Sequence, residues 1–273
     1  MTDILSSIDP LAAKVTDGVV ITLPPDYSGC ANALWRAVIR RGVKDLHLVG
    51  VPVFGYHGDL LIGAGCVATV ETSAVTMGEH GLAPRFTAAV KAGSIRVLDA
   101  TCPAIHAGLQ AAERGAPFSV MRGLIGSDIL DRRADWRIID NPFAEGDPIV
   151  AIPAITPDLA VFHAPKADRQ GNVWIGVRRE CMVMAHAARD TLVTVEEIVD
   201  DDLMADPSTK AGTIPGLYVS AVAEAKQGAW PQGLYTRYGN DNDHLARYAE
   251  MARTEEGFAA YLSEVVSGRE AAE

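Results

Sequence analysis

Segment 122–128 contains residue types that commonly bind an anionic ligand. It reads Arg-Gly-Leu-Ile-Gly-Ser-Asp and follows an apolar run, 118–121, that predicts a strand. Its arginine could bind a phosphate or carboxylate through paired hydrogen bonds, and its glycines would let the backbone approach a ligand. Its serine or aspartate could cap the next helix, whose amides would face the ligand. An ordinary strand-to-helix turn also explains these candidate residues, which are Arg122, Gly123, Gly126, Ser127 and Asp128.

Segment 163–172 places polar residues around a predicted hairpin. It lies between two apolar runs and reads His-Ala-Pro-Lys-Ala-Asp-Arg-Gln-Gly-Asn. An aspartate can bond the backbone two residues on, and Gly-Asn readily adopts positive φ, so the segment predicts a tight turn between strands. The polar residues that we single out are His163, Asp168, Gly171 and Asn172.

The cysteines do not predict a metal site. Cys30, Cys66, Cys102 and Cys181 are far apart and form no Cys-x-x-Cys pair or Cys/His pair at ligand spacing. We therefore expect no bound metal and interpret these residues as buried thiols of a reducing compartment.

Apolar runs alternate with helix-like stretches along most of the chain. This rhythm predicts an α/β fold with an open, largely parallel sheet and helices on both faces. We find no convincing boundary and expect one domain over residues 1–273, with a helical tail from about residue 242. The predicted strands are 19–21, 46–49, 66–75, 95–98, 118–121, 149–155, 159–163, 173–176 and 192–199. The predicted helices are 31–41, 84–92, 104–114 and 182–189.

Composition excludes several classes of protein. The 273 residues carry a formal net charge of -11, and no cluster of Lys and Arg exceeds two adjacent residues, so nucleic acid is not an expected partner. No apolar run is long enough to span a membrane. The first residues lack a basic region followed by an apolar one, so we expect a cytoplasmic protein.

Five motifs resemble those of family I coenzyme A transferase alpha subunits and follow the same order. The most detailed is Asp-x-x-Gly-Asn after a histidine, which matches segment 163–172. The closest types are the glutaconate CoA-transferase A subunit and the A subunit of a steroid ring-opening CoA hydrolase. The matching segments are 81–86, 115–128, 163–176, 194–199 and 228–238.

The resemblance implies a CoA-transferase fold, related to that of sugar-phosphate isomerases, and a division of labour between two chains. In the family, a glutamate carboxylate attacks an acyl-CoA thioester, and CoA then passes to a second carboxylic acid. In two-chain members this glutamate lies on the beta subunit, and Glu71 and Glu79 here lack its Glu-Asn-Gly surroundings, so we expect both on the surface or at an edge. The resemblance thus implies an α2β2 assembly with a beta subunit, acyl-CoA and carboxylic acids as substrates, and no permanently bound cofactor besides CoA as a substrate.

Two segments depart from the family pattern. The loop after the first family strand is usually rich in glycine but reads Leu-Pro-Pro-Asp-Tyr-Ser-Gly at 23–29. Before the helix at 104–114, relatives often carry a glutamate, which in the ring-opening hydrolase is thought to act directly. Asp99 could replace it as a general base at the end of a strand, or simply form a turn. Cys102 could pair with His106 as a nucleophile, but a buried thiol beside proline is the preferred interpretation.

Several functions therefore remain open. The first is a CoA-transferase subunit, and the second is a thioester or carbon–carbon hydrolase subunit that uses Asp99 or a glutamate of the partner. The third is a catalytically silent scaffold, and an isomerase-like enzyme that acts alone is a further alternative.

Overall fold

The computed structural model describes residues 2–268 and contains strands in several sheets. In chain order the strands are β1 (Asp3–Leu5), β2 (Val20–Leu23), β3 (Leu46–Gly50), β4 (Val53–Phe54), β5 (Val67–Thr72), β6 (Ala74–Val75), β7 (Arg96–Asp99), β8 (Phe118–Met121), β9 (Arg137–Asp140), β10 (Pro148–Pro153), β11 (Leu159–Ala164), β12 (Lys166–Asp168), β13 (Val173–Trp174), β14 (Asp190–Val195), β15 (Ile198–Val199), β16 (Thr213–Ile214) and β17 (Ala221–Glu224).

Residues 2–268 also contain ten α-helices, of which the last two follow the final strand. They are α1 (Ile8–Ala13), α2 (Asn32–Arg40), α3 (Tyr56–Gly63), α4 (Pro84–Ala92), α5 (Cys102–Glu113), α6 (Asp128–Arg132), α7 (Arg179–Ala187), α8 (Pro207–Lys210), α9 (Asn242–Met251) and α10 (Glu255–Tyr261). The helix predicted at 84–92 has these bounds, with proline in its first turn and Gly93 in the left-handed conformation after it.

An eight-stranded parallel sheet forms the centre of the structure. Its order is β1-β17-β14-β11-β2-β3-β5-β7, so the strand order reverses between β2 and β11. Open sheets of this kind bind ligands beyond the carboxyl ends of the strands near such a reversal. The predicted α/β class and parallel sheet are confirmed, and the loops after β2 and β11 are the first place to look for a site.

Apolar side chains cover both faces of this sheet. One core contains residues of α1, α2, α3, α9 and α10, and the other contains residues of α5 and α7 and of the smaller sheets. The C-terminal helices pack into the first core through Tyr248, Phe258 and Tyr261, and the Tyr261 hydroxyl lies 2.7 Å from that of Tyr56. The predicted helical tail therefore packs into the first core, where it contacts α3. The extent of the domain, 1–273, stays a prediction.

The strand predicted at 118–121 does not join the parallel sheet. It forms β8, which pairs antiparallel with β10, and β10 pairs antiparallel with β9. Every second side chain of β8 is exposed, including Phe118 and Val120. A short apolar run identifies a strand but does not show which sheet it joins, which is why the sequence-based placement of 118–121 in the parallel sheet was wrong.

A hairpin lies within the predicted segment 163–172, but its first strand is β12 and not the predicted strand 159–163, which joins the parallel sheet as β11. Strands β12 and β13 pair antiparallel, and β15 and β16 extend them into a four-stranded sheet. Among residues 2–268, no helix has the length and apolarity that crossing a membrane requires.

Candidate active site

A cleft of about 310 Å³ opens at the carboxyl edge of the parallel sheet. The loops after β2 and β3 form one wall, and helices α5 and α7, which pack against each other, form the other. The lining residues are Pro25, Tyr27, Val51, Pro52, His106, Gln110, Arg179, Glu180 and Val183. This cleft combines an imidazole, a carboxylate and a guanidinium at the place where the fold predicts a ligand.

Glu180 joins the two walls of the cleft. It lies in the first turn of α7, where the helix dipole favours a negative charge, and it accepts a hydrogen bond from the hydroxyl of Ser28 in the loop after β2. The thiol of Cys181 donates to the Ser28 carbonyl at 3.3 Å, so the same helix turn holds this loop at a second point. Glu180 is therefore both an anchor of the loop and a carboxylate at the cleft.

His106 brings a titratable imidazole to the cleft from α5. Burial lowers its pKa, and the nearby negative charge of Glu180 opposes that shift. The neutral form therefore predominates at pH 7, and a neutral imidazole is able to accept a proton from a bound water or substrate. Sequence reasoning considered His106 only as a partner of Cys102 and did not consider Glu180, because neither residue belongs to a recognisable motif.

The loop after β2 is held tightly against the end of β11. The backbone N–H of His163 donates to the Gly29 carbonyl at 2.7 Å. Gly29 has φ of +86°, and a Cβ there would lie 2.0 Å from the His163 carbonyl oxygen. Only glycine fits both the conformation and the approach. Segment 23–29 has one glycine, and the structure shows why that glycine is needed.

A buried hydrogen-bond network lies behind this loop. Nδ1 of His163 lies 2.8 Å from the Thr194 hydroxyl, and Nε2 lies 2.9 Å from the Glu196 carboxylate. Because an ionised carboxylate only accepts, Nε2 of His163 carries the proton and Nδ1 accepts from the threonine. The Tyr238 hydroxyl also donates to Glu196 at 2.7 Å.

Glu196 is the electrostatic centre of the network. Its carboxylate accepts hydrogen bonds from the backbone N–H groups of Gln227 (2.9 Å) and Gly228 (3.2 Å) as well as from the two side chains above. Although burial alone would raise its pKa, these donors lower it to about 2. A carboxylate so fully bonded is a poor nucleophile, and its position indicates that it fixes the ends of β11 and β14 together with the following loop.

The predicted anion-binding segment 122–128 lies outside the cleft lining, after β8 in the small antiparallel sheet. Arg122 is exposed and forms a paired ion contact with Asp147, at 2.9 and 2.5 Å. Ser127 precedes α6 but donates its hydroxyl to the Leu124 carbonyl and does not cap the helix. Gly126 has φ of +83°, and Gly123 and Asp128 are exposed. The premise that this segment ends a strand of the parallel sheet was therefore wrong, and its ligand role stays a prediction.

Asp99 ends β7 and is half-buried. Its carbonyl accepts from the guanidinium of Arg133 at 3.2 Å, and the same guanidinium is 2.7 Å from the carboxylate of Glu71. The expectation of a surface Glu71 was wrong, because the ion pair with Arg133 compensates its burial. Exposed Glu79 agrees with the expectation. Asp99 does not line the cleft, and its catalytic role stays a prediction.

Cys102 is exposed, so the preferred interpretation of a buried thiol was wrong for this residue, whereas the other three cysteines are buried. It begins α5, and its Sγ lies 3.1 Å from the Ser73 hydroxyl. A helix begins here because Thr101 caps it and a proline occupies the first turn, and this arrangement brings the thiol to the surface.

Asp168 and Asn172 hold the β12–β13 turn together. The Asp168 carboxylate accepts from the backbone N–H groups of Gln170 (2.9 Å) and Asn172 (3.0 Å) and from the Asn172 side chain (2.7 Å). Gly171 has φ of +84°, as a turn glycine requires. Asp168, Gly171 and Asn172 therefore form a compact turn, and their bonds do not include His163.

A second cavity, of about 300 Å³, lies beside the same loop and is lined in part by Asp26 and Gln232. Among residues 2–268, one set of three side chains has metal-binding atoms close together, and it comprises Asp26, Cys30 and His57. The sequence showed no metal motif because these residues come from two segments that only the fold brings together.

Comparison with known proteins identifies the scaffold. Residues 5–225 match the coenzyme A transferase family. The chain is 34% identical to the A subunit of the 3-oxoadipate CoA-transferase of Pseudomonas knackmussii, over 98% of this chain and 95% of that protein. It is 29% identical to the cholesterol ring-cleaving hydrolase IpdA subunit of Rhodococcus jostii, over 87% of this chain and 83% of that protein.

A comparison with solved structures also supports a coenzyme A transferase fold. Glutaconate CoA-transferase from Acidaminococcus fermentans superimposes with a TM-score of 0.87 at 29% identity, over 97% of this chain and 89% of that one. The sheet, the flanking helices and the cleft at the carboxyl edge thus lie on a scaffold that known CoA-transferases share. The chain belongs to the coenzyme A transferase family of enzymes.

Proposed function

We propose that this chain is the A subunit of a two-chain CoA-transferase that moves CoA from an acyl-CoA to a free carboxylic acid. The observation that carries the proposal is the alignment of 98% of the chain, at 34% identity, with the A subunit of a 3-oxoadipate CoA-transferase. The partner is a B subunit, the assembly is α2β2, and the complex is cytoplasmic. CoA enters and leaves as part of the substrates, so the exchange itself requires no bound cofactor.

The covalent glutamate lies on the B subunit in this proposal. It attacks the thioester carbonyl and expels CoA as thiolate, which then attacks the resulting anhydride to release the carboxylate and leave a glutamyl-CoA thioester. The incoming acid reverses these steps and leaves as its CoA thioester. The A subunit contributes the cleft between its β2 loop and helix α7.

The glutamates of this chain support that division. Glu71 is committed to Arg133, and Glu196 is committed to the network with His163. Glu180 is the cleft carboxylate, and the Ser28 hydroxyl holds it beside the wall. Because the Ser28 hydroxyl fixes one oxygen of Glu180 against the loop, we assign Glu180 a positioning role in the cleft and the nucleophilic role to a glutamate of the partner.

Acceptor dependence tests the proposal. The chain is co-expressed with a candidate B subunit and the purified complex is supplied with an acyl-CoA, with and without a free carboxylic acid. We expect a new acyl-CoA to form only when the acid is present, at a rate that depends on its concentration. Release of free CoA at the same rate without any acceptor would contradict the transferase assignment.

A hydrolase subunit is the second candidate, and the cleft itself favours it. A neutral imidazole and a carboxylate face one cavity, which is the arrangement needed to activate water, and a relative is a ring-cleaving hydrolase. In that case His106→Gln should lower kcat by about 10²–10⁴-fold, the range for loss of a general base. In the transferase the same variant should change kcat by less than about tenfold and act mainly on KM. Gln110→Ala, on the same helix face of the cleft, is the matched control.

A further inference from the structure

Three side chains with different donor atoms converge beside the second cavity. Asp26 and Cys30 come from the loop after β2, and His57 comes from the first turn of α3. One ligand atom from each lies within 4.8 Å of the other two, and Nδ1 of His57 is 3.9 Å from the Asp26 carboxylate. Oxygen, thiolate sulfur and imidazole nitrogen are the donors that zinc takes in proteins.

The imidazole of His57 is unsatisfied in its buried position. The side chain is fully buried, and neither ring nitrogen has a hydrogen bond with any residue of the described range 2–268. Gln232 lies close to this imidazole, and within the same range its own Nε2 has no hydrogen bond either. Buried polar atoms are rarely left unbonded, and an ion or water is the usual explanation. The unsatisfied imidazole therefore points to a ligand between these side chains.

The carboxylate of Asp26 is held in place by the start of α3. It accepts the N–H groups of Gly55 at 2.9 Å and Tyr56 at 3.3 Å, which leaves further lone pairs free. A Cβ on Gly55 would come within 2.3 Å of the Asp26 Oδ2, so the approach depends on glycine. Asp26 is thus rigidly presented to His57 and Cys30.

The donor set suits a divalent transition-metal ion. Such an ion would bind the Asp26 carboxylate and a lone pair of the buried His57 imidazole, and it would favour the thiolate form of Cys30 that ligation requires.

We infer that Asp26, Cys30 and His57 bind a divalent transition-metal ion, zinc in preference to magnesium or calcium. Zinc bonds of about 2.0–2.3 Å place neighbouring ligand atoms about 3.3–3.8 Å apart, so the cluster needs to contract by about 1 Å. Three protein ligands leave a fourth position, and because Asp26 and Gln232 line the cavity, that position opens toward it. The site is separate from the 310 Å³ cleft, whose lining includes neither Cys30 nor His57.

Cobalt titration tests the inference, because Co²⁺ occupies zinc sites and reports thiolate ligation by its colour. The full chain is purified metal-free under reducing conditions and titrated with Co²⁺. We expect one equivalent to bind, with a thiolate-to-cobalt band in the near ultraviolet and the visible bands of tetrahedral cobalt, and excess Zn²⁺ should abolish both. A wild-type chain without a thiolate band would overturn the inference.

Single variants identify the ligands. Cys30→Ser should remove the thiolate band, and His57→Ala should weaken Co²⁺ binding at least about tenfold, the lower end of the effect known even for residues that only support a ligand. Cys102→Ser, which changes the exposed thiol, is the matched control and should bind as the wild type does. If the Cys30 and His57 variants do not fold, Asp26→Asn replaces them as the test of a ligand, because its side-chain oxygen still accepts a hydrogen bond from the amides at the start of α3. A band lost in the Cys102 variant but kept in the Cys30 variant would contradict the site.

Discussion

At the scale of single residues, Glu196 illustrates how burial and hydrogen bonding compete. Burial favours the protonated acid, yet donors from His163, Tyr238 and two backbone amides together outweigh it. The carboxylate is consequently held ionised, and its folded-state pKa lies below its ordinary value of 4.5. The stabilisation is fully present above the unfolded pKa and is lost as the pH falls toward the folded value.

Replacing Glu196 by Gln should therefore change the pH dependence of stability. The wild type should lose stability between about pH 4.5 and about pH 2, and the variant should show a flatter profile there. The lowering of the Glu196 pKa from 4.5 to about 2 corresponds to roughly 3 kcal/mol of folding stability near neutral pH, at 1.36 kcal/mol for each pKa unit. Urea denaturation at several pH values measures the difference.

Glu197→Gln is the matched control for that measurement. Its carboxylate is half-buried and pairs with Arg237 near the surface, so the change should cost less than about 1 kcal/mol. Equal losses for the two variants would show that the buried network does not stabilise the fold as described.

At the scale of elements, the loop after β2 depends on one glycine. Gly29→Ala must place a methyl group where the His163 carbonyl already lies and must also keep φ at +86°. We expect a loss of more than about 3 kcal/mol of unfolding free energy, in the range of severe single substitutions. Chemical denaturation of the two proteins checks this.

The Gly18→Ala variant separates the effect of backbone strain from the effect of the close approach to the His163 carbonyl. Gly18 has φ of +76°, and nothing lies within 4 Å of the position that a methyl group would take there, so only the conformational strain applies. That strain costs about 1–2 kcal/mol. If both alanine variants lost the same stability, the close approach of Gly29 to β11 would not matter.

The sequence predicted where strands and helices lie along the chain better than it predicted which strands pair with each other. Strand 159–163 is close to its observed bounds because an apolar run is a local signal, and helix 84–92 matches its bounds because Pro84 and Gly93 mark its two ends. Strand 118–121 was also recognised, but its sheet was not, because pairing partners come from distant parts of the chain. The ligand role given to Arg122 depended on that sheet.

The same limit applies to the candidate sites. Asp168, Gly171 and Asn172 form a turn that local sequence identifies, since the bonds from Gln170 and Asn172 to Asp168 lie within one short segment. The backbone N–H groups of Leu203 and Gly216, which also donate to Asp168 and Asn172, come from distant segments that the turn motif does not indicate. His106 and Glu180 face one cleft only because α5 and α7 pack together, and 73 residues separate Glu113 of α5 from His186 of α7, which are also in contact. Such convergence has no signature in spacing, and the five family motifs were needed to indicate the function.

At the scale of the whole molecule, the fold places its chemistry at one edge of the parallel sheet. The reversal of strand order between β2 and β11 brings the β2 loop, the His163–Glu196 network and α7 together beyond the strand ends. The chain belongs to the coenzyme A transferase family, and its own glutamates in this region are largely bound to other groups. In the proposed function, a B subunit completes the site with the nucleophile.

The most direct test of this division is to find which chain carries the covalent intermediate. The purified two-chain complex is mixed with an acyl-CoA in the absence of acceptor acid, quenched, and both chains are weighed by intact-protein mass spectrometry. We predict that a CoA thioester forms on the B subunit, that this chain keeps its unmodified mass, and that added carboxylic acid removes the adduct. An adduct on this chain would contradict the proposed division of labour, and hydrolysis without any adduct would contradict the transferase function.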